Sequence, residues 1–412
     1  MVRKGWVISI LAVLFSLAWD KAVASPDGTE TTFTGVCGAT LINDEVYYEL
    51  SLYPELKFGQ LALGFDVTLH WRDGQGILKE DWDDLDDLAN LLRYLRYAHP
   101  RARPFYFRLG ALDRATLGHG FILGNYSNRR KDDYYKRIPG AKAEINLERI
   151  GIETVVSDLF KNRIYGGRVY LQPLREADLP LINRLTLGAT YVTDTHPAEG
   201  SDTNETQALT ASGLDLTLPV IERLLEFYLD LAKIKDHGDG ASLGVGGNYG
   251  LNLIPLSWNW KVELRDVAGD FIPTLFDAHY EVRRPIDWSR FEADDRLKGP
   301  YAEVSLNISD ILTLAGAYEK YEGIDPNLHA ELTLSESFLE SILRRQASAS
   351  ISLDQRNTDR LFPLTKKPGT IITASVSCQL SGGVDLVYSL IETYDEEENP
   401  IRTSSLTTQI RF

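Results

Sequence analysis

The sequence predicts an all-β fold, a transmembrane antiparallel β-barrel of about 18 strands (range roughly 16 to 20), with one short helix in a long loop. Three observations predict it. Apolar and polar residues alternate along most of the chain after residue 45, the alternating segments are long, and short connections alternate with long polar ones. A membrane-crossing strand needs about ten residues, which the longest of these segments supply.

The alternation is clearest in residues 61–72. Successive strand side chains point to opposite faces, so one face of this segment is apolar and the other is polar. The same pattern recurs in 141–148, 301–308 and 347–354. In 257–264 it places Trp258, Trp260, Val262 and Leu264 opposite Ser257, Asn259, Lys261 and Glu263.

The polar face is often charged, and this favours a barrel over a soluble sandwich. A sandwich needs partner sheets for its apolar faces, whereas a barrel turns them to lipid and its polar face to a wet lumen. Such charges set ion preference in pores, or they pair with one another and hold a filled interior together. The candidate lumen-lining residues are Asp66, His70, Arg72, Arg108, Lys142, Glu144, Glu153, Arg168, Lys261 and Glu263.

Connections differ in length in a regular way. Short ones include Asp310, Ser381-Gly382-Gly383 and Arg149, and long polar ones include 125–140, 193–206, 355–370 and 393–402. The weakest of the candidate strands are 33–40 and 118–124. An even strand count places both termini on one side of the membrane, where the turns are short.

The first 24 residues are interpreted as a signal peptide. Arg3 and Lys4 precede the apolar run from Trp6 to Trp19, and Ala22-Val23-Ala24 fits the small-x-small cleavage pattern. The run is short for a spanning helix, so a membrane anchor is the weaker alternative. Residues 25–412 then form a single barrel domain.

The C-terminus alternates in the same way up to the last residue. Leu406, Thr408, Ile410 and Phe412 share one face, and the chain stops at Phe412. This resembles the sorting signal of bacterial outer-membrane β-barrel proteins, which include porins. The resemblance implies recognition by the barrel assembly machinery and a location in the cell outer membrane, in contact with its lipid. It fixes no subfamily and carries over no site residues.

Composition narrows the choice of partners. The formal net charge is −16, and removal of the first 24 residues makes it more negative by two, so nucleic acid is not expected as a partner.

Cys37 and Cys378 are three strand steps apart on our strand order, about 14 Å, which is too far for a disulfide. The seven histidines form no metal-ligand spacing, and no nucleophile elbow occurs. We expect no enzyme, metal or cofactor; Gly118-His119-Gly120 is interpreted as a tight turn.

Residues 81–97 depart from the strand pattern. Leu85, Leu88, Leu92 and Leu95 are spaced as on one face of a helix. We predict a helix in an outer loop that folds into the lumen, with a surface cap as the alternative. The candidate pore-mouth residues are Arg93, Arg96, Arg101 and Arg103.

The expected function is passive or facilitated passage of small hydrophilic solutes through a water-filled pore. The alternative is a plugged structural, adhesive or surface-binding barrel.

Overall fold

The computed structural model describes most of the chain as one continuous sheet. The residues it describes are 29–42, 45–72, 76–77, 91–98, 104–128, 138–161, 163–197, 207–222, 224–251, 255–268, 270–284, 286, 288, 296–309, 311–356, 367–381, 384–395 and 397–411. The proposed signal peptide, Arg101, Arg103 and Phe412 lie outside these residues. No helix in the described ranges is long and apolar enough to cross a membrane.

Strands account for nearly all of the regular structure. The strands are Thr29–Ile42 (β1), Glu45–Phe58 (β2), Leu61–Phe65 (β3), Val67–Arg72 (β4), Gly76–Ile77 (β5), Leu92–Tyr97 (β6), Phe105–Gly110 (β7), Gly140–Asn146 (β8), Ile150–Val156 (β9), Ile164–Leu171 (β10), Thr186–Asp194 (β11), Leu209–Ile221 (β12), Leu225–Ile234 (β13), Asp239–Leu251 (β14), Leu256–Val267 (β15), Leu297–Ile308 (β16), Leu312–Glu319 (β17), Asn327–Leu334 (β18), Ala347–Gln355 (β19), Thr370–Ser381 (β20), Val384–Tyr394 (β21) and Pro400–Arg411 (β22). Short helices occur at Ile182–Arg184 (3₁₀), Tyr280–Arg283 (α1) and Glu336–Leu343 (α2).

The sheet is a closed antiparallel barrel, as predicted. Each strand pairs with the next along the wall, and β22 pairs with β1 with Thr408 opposite Cys37. Closure joins the last strand to the first, so that β1 and β22 each have a partner on both sides. Among the described residues the wall has 20 strands, counting β3 and β4 as one strand interrupted at Asp66, and β5 is one short extra strand. The expected count of about 18 was therefore too low, since β7 has only six residues and β10 only eight.

The two faces of the wall differ as the alternation predicted. Along β15 the outward Leu264 is 65% exposed, whereas its neighbour Glu263 is 2% exposed and points inward. Aromatic side chains pack against each other on the outer face near both rims. Tyr249 lies against Trp258 near the end with short turns, and Tyr48 lies against Trp71 near the opposite end. An apolar belt between aromatic rims is the outer surface expected of a membrane barrel.

The two ends of the barrel carry different connections. β1 begins and β22 ends at the end where most turns are short, including 222–224 and 309–311. The opposite end carries the long connections 111–139, 195–208, 268–296 and 356–369. We call it the long-loop end.

The predicted helix at 81–97 is wrong for its C-terminal part. Residues 92–97 form β6, which pairs with β3 on one side and β7 on the other; residues 81–90 lie outside the described residues. Pairing on both sides satisfies the backbone of β6 and closes the wall, so it overrides the local helical spacing. The eight-residue helix α2 instead lies in the connection between β18 and β19.

Two long connections fold inward and build a core inside the barrel. Residues 111–128 form the first infolded loop, and residues 270–284 form the second. Phe121, Leu123 and Phe276 of these loops are buried together with wall residues of β9 to β15 near the long-loop end. The weak candidate strand 118–124 thus belongs to the first loop and is not a wall strand, whereas 33–40 lies within β1. Both cysteines are free, as predicted.

Candidate functional site

The two infolded loops are joined to each other by backbone hydrogen bonds. Leu123 and Phe276 form a parallel bridge, and the amides of Thr274 and Phe276 donate to the carbonyls of Phe121 and Ile122 at 2.8 and 3.2 Å. The loops therefore form one inserted body inside the lumen. What this body covers, and what it leaves open, defines the candidate site.

A tight turn fixes the first loop to the wall, and this confirms the turn predicted at Gly118-His119-Gly120. Gly118 and Gly120 have φ of +56° and +87°, a backbone conformation that glycine adopts without strain. The ring of His119 stacks on Tyr228 at 4.1 Å. Its Nδ1 lies 2.9 Å from Asp230 and its Nε2 lies 3.0 Å from the Thr217 hydroxyl.

The pKa of His119 is higher than that of an exposed histidine. Burial lowers the pKa of His119, but the hydrogen bond and charge of Asp230, with smaller contributions from Asp215 and Glu226, raise it overall above the ordinary 6.5. The backbone carbonyl of His119 also accepts a 3.2 Å hydrogen bond from Lys261. The turn thus contacts a hydroxyl of β12 and charged groups of β13 and β15.

A buried polar network fixes the second loop at the long-loop end. Tyr280 donates to Asp194 at 2.7 Å, and Tyr126 of the first loop donates to Glu281 at 2.5 Å. Arg284 lies 2.9 Å from Glu281 and 3.6 Å from Asp194. Burial, reinforced by the charges of Glu281 and Asp194, raises the pKa of both tyrosines well above its usual range, so the hydroxyls remain donors.

The same short segment reaches the far wall. His279 lies 3.2 Å from Asp354 of β19, whereas Tyr280 contacts Asp194 of β11. Asp277 is paired with both Arg283 and Arg356. Burial alone would raise the pKa of Asp277, but these two guanidinium groups lower it overall. Residues 277–284 therefore form a bar across the lumen between β11 and β19.

The inner face covered by the inserted body carries paired charges. Arg168 binds Asp215 at 2.6 Å and Glu153 at 3.3 Å. Glu263 accepts hydrogen bonds from Tyr228 and Arg265, each at 2.7 Å. Lys261 lies 3.3 Å from Glu303. The Arg168–Asp215 and Arg265–Glu263 pairs are buried and satisfy each other's charge, which is required where water is excluded, whereas the Lys261–Glu303 pair is partly exposed.

The other lumen-lining candidates also lie on the inner face, away from the inserted body or at its edge. Lys142 pairs with Glu144 at 2.9 Å, and Arg108 lies 3.8 Å from Asp113 of the first loop. Asp66 accepts a 2.7 Å hydrogen bond from Thr68. His70 lies 4.0 Å from Glu49, and the guanidinium of Arg72 lies 5.9 Å from the Tyr47 ring centroid.

Two of the arginines that were expected at the pore mouth lie in the barrel wall. Arg93 and Arg96 lie on β6, not on a helix in an outer loop. A register shift opposite Gly64 and Phe65 lets Arg93 reach Glu55 at 3.7 Å, and Arg96 points inward beside Arg108. The contacts of Arg101 and Arg103 lie outside the described residues.

The inner face of β19 to β21 differs from the covered side. It carries a cluster of small, partly exposed hydroxyl side chains: Ser348, Ser350, Ser352, Thr373, Ser375, Ser377 and Ser389. Ser348 and Ser377 are hydrogen-bonded at 2.7 Å, and Ser375 and Ser389 at 3.3 Å. We call this surface the hydroxyl face. These short side chains take up little of the space inside the barrel.

Sequence reasoning missed the residues that fix the inserted body. Asp194 and Tyr126 lie far along the chain from their partners in residues 280–284, so no local pattern joins the two sides of these contacts. One signal was present. Residues 271–276 carry paired apolar residues, Phe271-Ile272 and Leu275-Phe276, without the alternation of a strand. An apolar connection that cannot form a strand needs a buried position of its own.

The architecture defines the class of this protein. A closed antiparallel barrel with an apolar belt, aromatic rims and a polar interior is the form in which strands cross a bilayer. The chain is an outer-membrane β-barrel, and the cell outer membrane is its location.

Comparison with solved structures returns other barrels. Wzi, an outer-membrane protein involved in group 1 capsule assembly in Escherichia coli and described as a carbohydrate-binding β-barrel, is 12% identical, with 93% of this chain and 85% of that chain covered and a TM-score of 0.39. OccK5 (OpdH) of Pseudomonas aeruginosa is 9% identical, with 94% and 99% covered and a TM-score of 0.38. A BenF-like porin of Pseudomonas fluorescens is 9% identical, with 94% and 99% covered and a TM-score of 0.36. No protein-family model matches the sequence, and a comparison with curated proteins gives no match.

Proposed function

We propose that this protein passes small hydrophilic solutes across the outer membrane through a lumen that the two infolded loops narrow. One contrast carries the proposal. The inner face of β12 to β15 is buried beneath the inserted body, as at Asp230 and Arg265, whereas the hydroxyl face keeps its side chains partly exposed. The inserted body therefore covers the inner face of β12 to β15 and, apart from the contact of the bar with Asp354 and Arg356 at the end of β19, leaves the hydroxyl face uncovered.

The residues that would contact the solute or hold the loops act without covalent chemistry. The hydroxyl face offers donors and acceptors that can replace part of a solute's hydration. Paired charges such as Arg168 with Asp215 hold the wall and the loops in place. Outer-membrane lipid contacts the apolar belt. We propose in addition that residues 1–24 direct export and that the C-terminal strand is read by the barrel assembly machinery.

Conductance of the purified, folded protein in a planar lipid bilayer tests the proposal. The structure suggests a matched variant, because Leu112 and Asn128 at the base of the first loop are hydrogen-bonded to each other. A Gly/Ser turn can therefore replace residues 113–127 without moving β7 or β8. A control replaces only residues 396–398, in the β21–β22 connection.

Three outcomes are distinguishable. Discrete conductance in the parent, with larger steps in the 113–127 variant and unchanged steps in the control, supports a pore narrowed by the loops. Absence of conductance in both parent and 113–127 variant contradicts transport and supports the plugged, structural or surface-binding barrel. Equal conductance in parent and 113–127 variant shows that the first loop does not narrow the path.

A further inference from the structure

Three cationic side chains are neighbours on the inner face of three adjacent strands. Arg96 of β6 is directly opposite Arg108 of β7, and Arg108 is directly opposite Lys142 of β8. Like charges that face each other across strands are destabilising. A row of three such residues therefore calls for anions nearby.

Within the described ranges, the anionic side chains do not pair with all three cations of the row. Lys142 is neutralised by Glu144 at 2.9 Å. Arg108 lies 3.8 Å from Asp113, whose side chain is 52% exposed. Arg96 forms no ion pair within the described part of the chain, and its buried Nε has no hydrogen-bond partner there. As far as the described residues go, the charge of the row that has no paired anion thus lies at Arg96.

The surroundings hold the Arg108 guanidinium in place. Its Nε donates a 3.0 Å hydrogen bond to the carbonyl of Ala111, and its carbon lies 5.0 Å from the centre of the Tyr94 ring. A guanidinium fixed through Nε and a ring face keeps its terminal N–H groups for an oxyanion, which they match in geometry. Asp113 shows that a carboxylate already approaches this position.

We propose that Arg96, Arg108 and Lys142 form an oxyanion-binding site in the lumen, which takes solutes that carry a carboxylate or phosphate group. Arg96 and Arg108 bind the oxyanion, and Lys142 adds charge from the neighbouring strand. An arriving oxyanion replaces Asp113 at Arg108. The proposal deepens the proposed function, because it names the substrate class of the same lumen.

Protection from phenylglyoxal, which modifies arginine side chains, tests the site without any need for transport. The folded protein is treated with the reagent alone, with inorganic phosphate, with acetate and with neutral glycerol, and modification is read by peptide mass spectrometry. The exposed Arg184 serves as the internal control. We expect phosphate or acetate, but not glycerol, to slow modification of Arg96, by about twofold when half of the sites are occupied. Lys142→Gln should weaken this protection.

Three results would contradict the proposed oxyanion site. Equal protection of Arg96 and Arg184, protection by glycerol, or an Arg96 that is unreactive under every condition would each show that the row binds no oxyanion from the lumen. Protection by only one of the two anions supports the site and identifies the group it takes.

Ion selectivity links the site to passage. We expect Arg96→Gln to lower the anion-to-cation permeability ratio by about fourfold. One unit charge about 10 Å away in water changes the local concentrations of an anion and a cation by about twofold each, in opposite directions. Lys233→Gln is the control, because Lys233 is exposed on the outer face of β13 and its substitution removes the same charge outside the lumen. Equal shifts in the two variants overturn the site. Anion protection without any conductance in the parent would instead refute the proposed function and keep the site.

Discussion

Tyr280 and Asp194 are joined by a 2.7 Å hydrogen bond, and neither side chain is exposed to solvent. Tyr280 belongs to the second infolded loop, and Asp194 is the last residue of β11. The bond fixes the loop to the wall at the point where the bar 277–284 leaves β11 and crosses toward β19. The position of the second infolded loop depends on this contact.

Tyr280→Phe is expected to loosen the second loop without unfolding the barrel. A hydrogen bond to a buried charge contributes about 1.5–3 kcal/mol, so the amides of Thr274 and Phe276 should exchange about 10- to 100-fold faster. Hydrogen exchange followed by mass spectrometry measures this. Tyr249→Phe, on the outer face, is the control and should leave these amides unchanged. Unaltered exchange in the Tyr280 variant would show that Asp194 does not hold the loop.

The first loop should be released as pH rises. The pKa of His119 is raised in the folded state, so its contribution to the infolded position is complete below about 6.5 and is lost as pH rises through the raised value. Conductance should therefore increase between about pH 6.5 and the alkaline range. In His119→Gln this dependence should disappear. Persistence of the same pH profile in that variant would assign it to another group.

The face assignment of β15 predicts unequal costs for neighbouring substitutions. Val262 points outward near the middle of the strand, so Val262→Arg should cost about 2–4 kcal/mol of folding free energy. Lys261→Ala removes a partly exposed ion pair, and Arg265 still neutralises Glu263, so its cost should stay near or below about 1 kcal/mol. Unfolding in urea from lipid vesicles measures both. Equal free energies of unfolding for the two variants would contradict the assignment of Val262 to the outer face and Lys261 to the inner face.

Phe412 is expected to act in assembly. The alternation of Leu406, Thr408 and Ile410 continues in β22, which closes the barrel on β1, while Phe412 itself lies outside the described residues. Phe412→Ser should lower the amount of heat-modifiable protein in the outer membrane while export continues. Gln409→Ser, at an inward position of the same strand, should assemble normally. Normal assembly of the Phe412 variant would remove it from the sorting signal.

The sequence by itself determined the wall. A period of two fixes which side chains share a face whatever the partner strand is, so Lys261 and Glu263 could be placed inside and Val262 and Leu264 outside before any pairing was known. The last alternating segment likewise predicted the strand that closes the sheet.

Only the tertiary structure decided what occupies the lumen. Arg96 and Arg108 became neighbours because β6 pairs with β7, and the pairing of β6 with β3 and β7 overrode a helical spacing of leucines. Arg114 reaches Glu331 and Tyr280 reaches Asp194 across long stretches of chain. Contacts of this kind depend on where the closed wall places each connection, and local periodicity holds no information about that, which is why the strand faces were predictable and the inserted body was not.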